Sequence, residues 1–210
     1  MLETLNLLRN GVSVNIVNSA ALPAPAEFLS PAEIEKYNSF KIPKRKADWL
    51  GGRYAAKTLL ASITRRKDFV NIEISYDNYG RPRAAGLAIS ISHSGGLALA
   101  AIKQGTGNLI GADIEMIEDR CAAWYADYFA PGELRGNDPS EATKLWTIKE
   151  AALKALGLGL KADLRDARFE NETVRFHGAA LERHRTLGSP AFNVSSFVFK
   201  NAFWITAVCA

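Results

Sequence analysis

Four side chains able to do chemistry stand in two short stretches. Asp113 and Glu115 lie two apart in Leu109-Ile-Gly-Ala-Asp-Ile-Glu115, and Glu150 and Lys154 lie four apart in Leu145-Trp-Thr-Ile-Lys-Glu-Ala-Ala-Leu-Lys-Ala-Leu156. In the second stretch apolar residues recur at Leu145, Ile148, Ala152, Ala155 and Leu156, the period of a helix. Gly157 and Gly159 are its stop signal. At roughly 100° per residue, Glu150 and Lys154 project from one side, away from Leu145 and Ile148. In the first stretch Ile110, Ala112 and Ile114 alternate with Gly111, Asp113 and Glu115, the period of a strand, so the two acids share a face. Paired carboxylates repel and resist burial unless a cation lies between them. Glu150 from a facing helix would complete an all-oxygen set suited to a hard divalent ion. Mg²⁺ suits it best, because Mg²⁺ keeps waters and also binds substrate phosphates. The plainer readings are an i,i+4 surface pair and a strand end with two solvated acids.

A second group of opposite sign lies upstream. Residues 41–67 carry nine Lys or Arg against one Asp, whereas residues 108–150 carry nine acids against four bases. In a helix over about Arg45 to Ala61, Lys46, Arg53 and Lys57 fall within about 40° of one another. Such a stripe grips phosphate through point charges and a guanidinium fork, or is simply a solvated face. His93 sits in Ser92-His-Ser-Gly-Gly96, placed at the tip of a hairpin, where backbone N–H groups approach an anion closely.

The elements that position these groups follow in order. Val12, Val14 and Ile16 alternate in a strand over Gly11–Asn18. Ser30-Pro-Ala-Glu33 is a capping box opening a helix to about Phe40. Pro43 breaks the chain before the basic helix. Strands follow at Asn71–Tyr76, Leu87–Ser92 and Leu97–Lys103, with a turn at Asn78-Tyr-Gly-Arg-Pro82. After a junction at Gln104–Asn108 come the Asp113 strand, a short helix around Ala122–Tyr128 and the Glu150 helix. The chain ends in strands at Arg168–Glu170, Thr173–His177, Ala191–Phe199 and Phe203–Cys209. The order therefore repeats: strand, long helix, antiparallel strands. This predicts an α+β fold of two pseudo-repeated lobes, 1–107 and 108–210, with the site between them.

Composition excludes several classes. The 210 residues are 48% hydrophobic and 23% charged, with a net charge of +4, as in globular proteins. There is no signal-peptide pattern and no run approaching about 18 apolar residues, so no membrane partner is expected. Cys121 and Cys209 have no motif spacing, which suits thiols in a cytoplasmic, reducing setting. The basic segment is not accompanied by a nucleic-acid motif, so nucleic acid is not expected either. A monomer is expected.

Gly111-Ala-Asp-Ile-Glu115 and Trp146-Thr-Ile-Lys-Glu-Ala-Ala-Leu-Lys154 resemble the two signature motifs of the 4′-phosphopantetheinyl transferase superfamily, in its larger two-lobed type that activates siderophore, surfactin and polyketide synthases. Lys44-Arg-Lys-Ala-Asp-Trp-Leu-Gly-Gly-Arg53, Tyr79-Gly-Arg-Pro82, Ser90-Ile-Ser-His-Ser-Gly95 and Phe129-Ala-Pro-Gly-Glu133 resemble further motifs of that family in the same order. Arg81 stands in place of the commoner Lys, and two departures are visible: Ala112 replaces a branched residue, and the connection from Glu115 to Lys149 is short. The resemblance implies transfer of 4′-phosphopantetheine from coenzyme A to a serine of an apo carrier protein of fatty-acid, polyketide or peptide synthase type, releasing 3′,5′-ADP. It further implies that Arg45, Lys46 and Arg53 hold the 3′-phosphate, with Ser92 and His93 at a phosphate. Gly80, Arg81 and Pro82 would cover the adenine. Asp113, Glu115 and Glu150 would hold Mg²⁺, with Asp113, Glu150 and Lys154 catalytic. Two other classes share these residues: a Mg²⁺-dependent phosphohydrolase and a non-catalytic coenzyme A or carrier-binding module.

Overall fold

The structure, a computed structural model, describes residues 3–7, 11–66, 68–104, 109–136 and 138–210. The chain divides into two units, Met1–Thr106 and Gly107–Ala210. Residues 105–108 of the expected junction lie outside the described residues.

The first unit carries an antiparallel sheet built from β1 (Glu3–Leu7), β2 (Val12–Asn18), β3 (Ser75–Tyr76), β4 (Pro82–Ala84), β5 (Leu87–Ser94) and β6 (Leu97–Lys103). The strand order is β1-β2-β6-β5-β4-β3. The expected strand over Asn71–Tyr76 shrinks to its last two residues. Ile72 and Ile74 have the alternation of a strand but serve as buried core residues ahead of it. Helix α1 (Pro31–Ser39) opens with the capping box: Ser30 Oγ accepts the Glu33 N–H at 3.3 Å, and Glu33 Oε2 accepts the Ser30 N–H at 3.0 Å. Pro43 follows the expected break, residues 40–42, between the two helices. It is the first residue of α2 (Pro43–Thr64), where a missing N–H costs nothing. α2 lies on the sheet over Leu59, Leu60, Ile89 and Ile102, and burying each of these contributes roughly 1.5–3 kcal/mol. Its glycines set the approach. A Cβ on Gly51 would overlap Ser19 Oγ and meet Ala98 Cβ at 2.9 Å, and one on Gly52 would meet Ile91 Cγ2 at 2.7 Å.

His93 is not at the hairpin tip. It lies within β5 opposite Ala98, and the turn is Gly95-Gly96, with φ of 54° and 79°. Two consecutive left-handed residues match the twist of a two-residue hairpin, so glycine takes both places.

The second unit has a three-stranded antiparallel sheet of β7 (Ile110–Met116), β10 (Asn193–Phe199) and β11 (Phe203–Cys209), in the order β10-β11-β7. Between β7 and β10 come α3 (Ala122–Tyr128), α4 (Pro139–Leu156), a hairpin of β8 (Ala167–Glu170) and β9 (Thr173–Phe176), and α5 (Gly178–Thr186). α4 packs on β7 and β11 and buries Ile148, Ala151, Leu153 and Leu156. It begins six residues earlier than the apolar period indicates, because Asp138 caps it through the Ser140 N–H at 3.0 Å and Pro139 follows at the first position. It ends with Gly157 at φ 79°, whose N–H bonds the Lys154 carbonyl while the Leu158 N–H reaches the Leu153 carbonyl. That double bond pattern closes a helix C-terminus. The guanidinium of Arg183 on α5 donates to the Leu156 carbonyl at 3.0 Å.

Candidate active site

Gly111 admits α4 to the second-unit sheet. A Cβ there would overlap the Ala151 carbonyl oxygen and meet the Ala155 backbone nitrogen at 2.6 Å. Gly111 therefore faces α4, and by strand alternation so do Asp113 and Glu115. Lys154 Nζ donates to Asp113 Oδ1 at 2.6 Å and to the Ala112 carbonyl at 3.4 Å, and it lies 3.3 Å from Glu150 Oε2. Asp113 and Glu150 are buried, while the Lys154 side chain keeps 22% of its surface exposed. Burial raises the Glu150 carboxyl above its ordinary range; Lys154 opposes that rise, and the Asp113 charge adds to it. Burial by itself would lower the Lys154 ammonium, but the carboxylates of Asp113 and Glu150 outweigh it and raise it.

Among the described residues no group of three or more His, Cys, Asp or Glu is placed to hold a metal ion. The Lys154 ammonium stands between Asp113 and Glu150 instead. The donor chemistry nevertheless fits a hard cation. Two buried carboxylates share one lysine charge, and half-buried Glu115 follows on the same strand face. A divalent ion would relieve the burial that raises Glu150.

Two further features of this unit escape the sequence reading. Lys149, next to Glu150, has no exposed side-chain surface, and its ammonium lies 2.7 Å from both carboxylate oxygens of Glu133. Burial lowers the Lys149 ammonium, and Glu133 opposes that. Trp146 packs against Trp124 and Tyr128 of α3, with ring centroids 4.9 and 4.7 Å apart. The aromatic residues were visible in the chain, but nothing local pairs them.

In the first unit the stripe of three cations divides. Lys57 is wholly buried. It pairs with Glu33 and donates to the Phe28 carbonyl at 2.8 Å, so it is a structural group and not part of a phosphate grip. Arg53 is 5% exposed. It lies over the rings of Trp49 and Tyr76, donates to Tyr76 Oη at 2.9 Å and stands 3.7 Å from Glu33 Oε1. Arg45 is exposed and Lys46 half-buried, against the Phe40 and Tyr37 rings respectively. Lys44 pairs with Asp48 at 2.8 Å, and Asp48 Oδ2 lies 3.6 Å from His93 Nδ1. His93 shares the α2-facing side of β5 with Ile91, whereas Ser92, buried, points to the opposite face. The Gly80-Arg81-Pro82 turn is organised by Asp77. Asp77 Oδ1 accepts the N–H groups of Tyr79 and Arg81 at 2.9 and 3.0 Å, and Oδ2 accepts the Arg81 guanidinium at 2.8 Å. Burial pushes the Asp77 carboxyl up, but these donors outweigh it and hold it at about 2.

Comparison with known proteins bears on both units. Residues 109–208 match the family model of the 4′-phosphopantetheinyl transferase superfamily, and residues 35–103 match that of the 4′-phosphopantetheinyl transferase N-terminal domain. A holo-[acyl-carrier-protein] synthase of Geobacillus kaustophilus is 35% identical over 89 residues, which cover 37% of this chain and 68% of that protein. The 4′-phosphopantetheinyl transferase HetI of Nostoc sp. is 28% identical over 150 residues, 64% of this chain and 62% of its own length. The chain thus matches less than two thirds of that longer relative. With a domain-level match in each unit, the chain belongs to the 4′-phosphopantetheinyl transferase superfamily, in its larger form with an N-terminal domain.

Proposed function

We propose that this chain transfers 4′-phosphopantetheine from coenzyme A to a serine of an apo acyl or peptidyl carrier protein. The observation that carries the reading is the buried Asp113–Lys154–Glu150 cluster on β7 and α4. A carboxylate whose proton affinity is raised by burial, beside a lysine held cationic, supplies a base and a phosphate-directed cation in one place. The carrier serine Oγ forms the new bond to phosphorus, and the bond from that phosphorus to 3′,5′-ADP breaks. Glu150 takes the serine proton. Lys154 Nζ, oriented by Asp113, faces the charge that builds on the phosphoryl oxygens. Asp113, Glu115 and Glu150 would hold Mg²⁺, which would supply charge neutralisation at the pyrophosphate.

The first-unit residues take the rest of coenzyme A. Arg45 and Lys46, the more accessible cations, and His93 meet the 3′-phosphate. Arg53, enclosed between Trp49 and Tyr76, adds its charge from behind them. Gly80, Arg81 and Pro82 lie along the adenine, in a turn that Asp77 keeps rigid. Ser92 supports β5 from its other face. We place the activity in the cytoplasm and in a monomer. Cys121 and Cys209 are free thiols, and no helix among the described residues is long and apolar enough to cross a membrane.

The test is incubation with coenzyme A bearing a fluorescent group on its thiol, Mg²⁺ and a panel of apo carriers. Label on a carrier serine supports the transferase reading. Free labelled phosphopantetheine with no carrier modified makes the chain a phosphohydrolase, and binding without turnover makes it a binding module.

A further inference from the structure

The Glu133–Lys149 pair is the most enclosed ion pair described in the second unit, and the chemistry above does not use it. Lys149 follows Ile148 and precedes Glu150 on α4, so its side chain leaves the helix about 100° from that of Glu150. Both Glu133 oxygens meet its ammonium at 2.7 Å, with side-chain exposures of 0% and 6%. Glu133 also accepts the Ala130 N–H at 2.9 Å, which folds residues 130–133 back on themselves. The ammonium lies 4.9 Å from the centre of the Phe129 ring. Phe129 is buried and packs on Trp124 at 5.4 Å, which joins this pair to the aromatic cluster on Trp146. The loop between α3 and α4 is thus fastened to α4 by a charge beside Glu150 and by rings one turn earlier.

We propose that Glu133 and Lys149 are a positioning pair for phosphopantetheine transfer. The pair fixes the rotation of α4 about its axis, and hence the direction in which Glu150 and Lys154, both on α4, meet Asp113 on β7. A buried ion pair is a poor device for stability alone, because apolar residues of similar volume serve as well or better. It is a good device for direction, because Glu133 meets the ammonium with both oxygens and is itself tied to the Ala130 N–H, which leaves its carboxylate little freedom to turn. The inference rests on the transferase reading for its activity measurements, though not for its structural one.

Two variants separate positioning from folding. Glu133→Gln leaves a buried ammonium poorly paired. It should lower Tm and speed amide exchange over residues 129–133. In protein still folded, coenzyme A affinity should stay within about twofold, while single-turnover transfer drops by about tenfold or more, approaching the on the order of 10²-fold that slight misplacement of a reacting group causes. Glu133→Gln with Lys149→Met removes both charges. Tm should return towards that of the unaltered chain, while transfer stays low. Lys149→Arg keeps a positive charge opposite Glu133 and should keep more of the rate than Glu133→Gln does. Return of transfer together with Tm in the double variant would overturn the proposal, leaving the pair a folding device. Loss of coenzyme A affinity as large as the loss of transfer would overturn it too, by moving the effect to the ligand site. If the unaltered chain modifies no carrier, the transferase reading fails, and amide exchange still decides the brace: unchanged protection at residues 129–133 in Glu133→Gln removes it.

Discussion

The two long helices, α2 and α4, meet their sheets by opposite means and bury charge of opposite sign. α2 gives up its own side chains, with Gly51 and Gly52 facing Ser19, Ala98 and Ile91. α4 keeps its alanines, and the strand gives way at Gly111. Beneath α2, two cations, Arg53 and Lys57, face one acid, Glu33. Beneath α4, two acids, Asp113 and Glu150, face one cation, Lys154. Among the described contacts cations outnumber acids in the first grouping and acids outnumber cations in the second, and burial makes charge of either sign costly. The first leans towards an anion and the second towards a cation. On the proposed transferase reading, coenzyme A with a divalent ion would offer both.

The sharpest way to break this contrast is Glu150→Gln. If the second cluster does the chemistry, transfer should fall by the ~10²–10⁴-fold typical of losing a general base. Coenzyme A should bind as before, because the α2 residues are untouched. Single-turnover transfer beside an equilibrium binding measurement reads both, and near-full transfer would end the role given to this cluster. Next in size is the packing contrast. Gly111→Ala meets backbone and has no side chain to push aside, so it should cost about 3 kcal/mol or more. Gly51→Ala meets mainly a serine rotor and a methyl group and should cost about 1–2 kcal/mol, part of it recovered by adding Ser19→Gly. Urea midpoints of the three variants decide this, and equal costs for the two alanines would mean that the sheets yield alike.

Lys46→Ala tests the sign of the first cluster. Losing one charge-assisted contact, worth roughly 1.5–3 kcal/mol, should weaken coenzyme A about tenfold and leave dephospho-coenzyme A unchanged. Arg53→Ala should instead lower stability, since its guanidinium is enclosed. An Arg53→Ala chain of normal Tm that discriminates the two ligands as Lys46→Ala does would return Arg53 to direct contact.

The smallest effect concerns acid. Asp77 and Glu150 are shifted in opposite directions, the first lowered by its donors and the second raised by burial. A lowered carboxyl contributes stability above its unfolded value of about 3.8, and that stability is lost as pH falls towards about 2. Asp77→Asn should therefore cost about 1–2 kcal/mol at neutral pH, and the difference from the unaltered chain should vanish near pH 2. Stability curves between pH 2 and 7 check this, and a constant difference would mean that the turn is held by shape and not by charge.

Much of this was legible in the chain because it is local. The Ser30–Glu33 capping box, the alternation through Asp113 and the 3.6-residue period ending at Gly157 depend on neighbours within a few residues, and the structure contains each of them. The same locality misled at Ile72 and Ile74, where alternation marks core contact without a strand. The shift of the hairpin tip from His93 to Gly95-Gly96 follows from which residues tolerate positive φ, a rule local enough to have been applied.

The sequence by itself determined which residue types were on offer, their secondary structure and their faces, because propensity and period act over one or two turns. Only the tertiary structure decided their partners. Glu33 reads as a cap, and it also neutralises Lys57 from 24 residues away. Lys57 reads as one of three phosphate ligands, and burial makes it structural. Lys149 reads as a neighbour of Glu150, and Glu133 makes it a brace. Asp113 and Glu150 read as two of three metal ligands, and packing through Gly111 sets Lys154 between them. The worth of a charged group depends on what replaces its water, and that is settled when distant segments close over it.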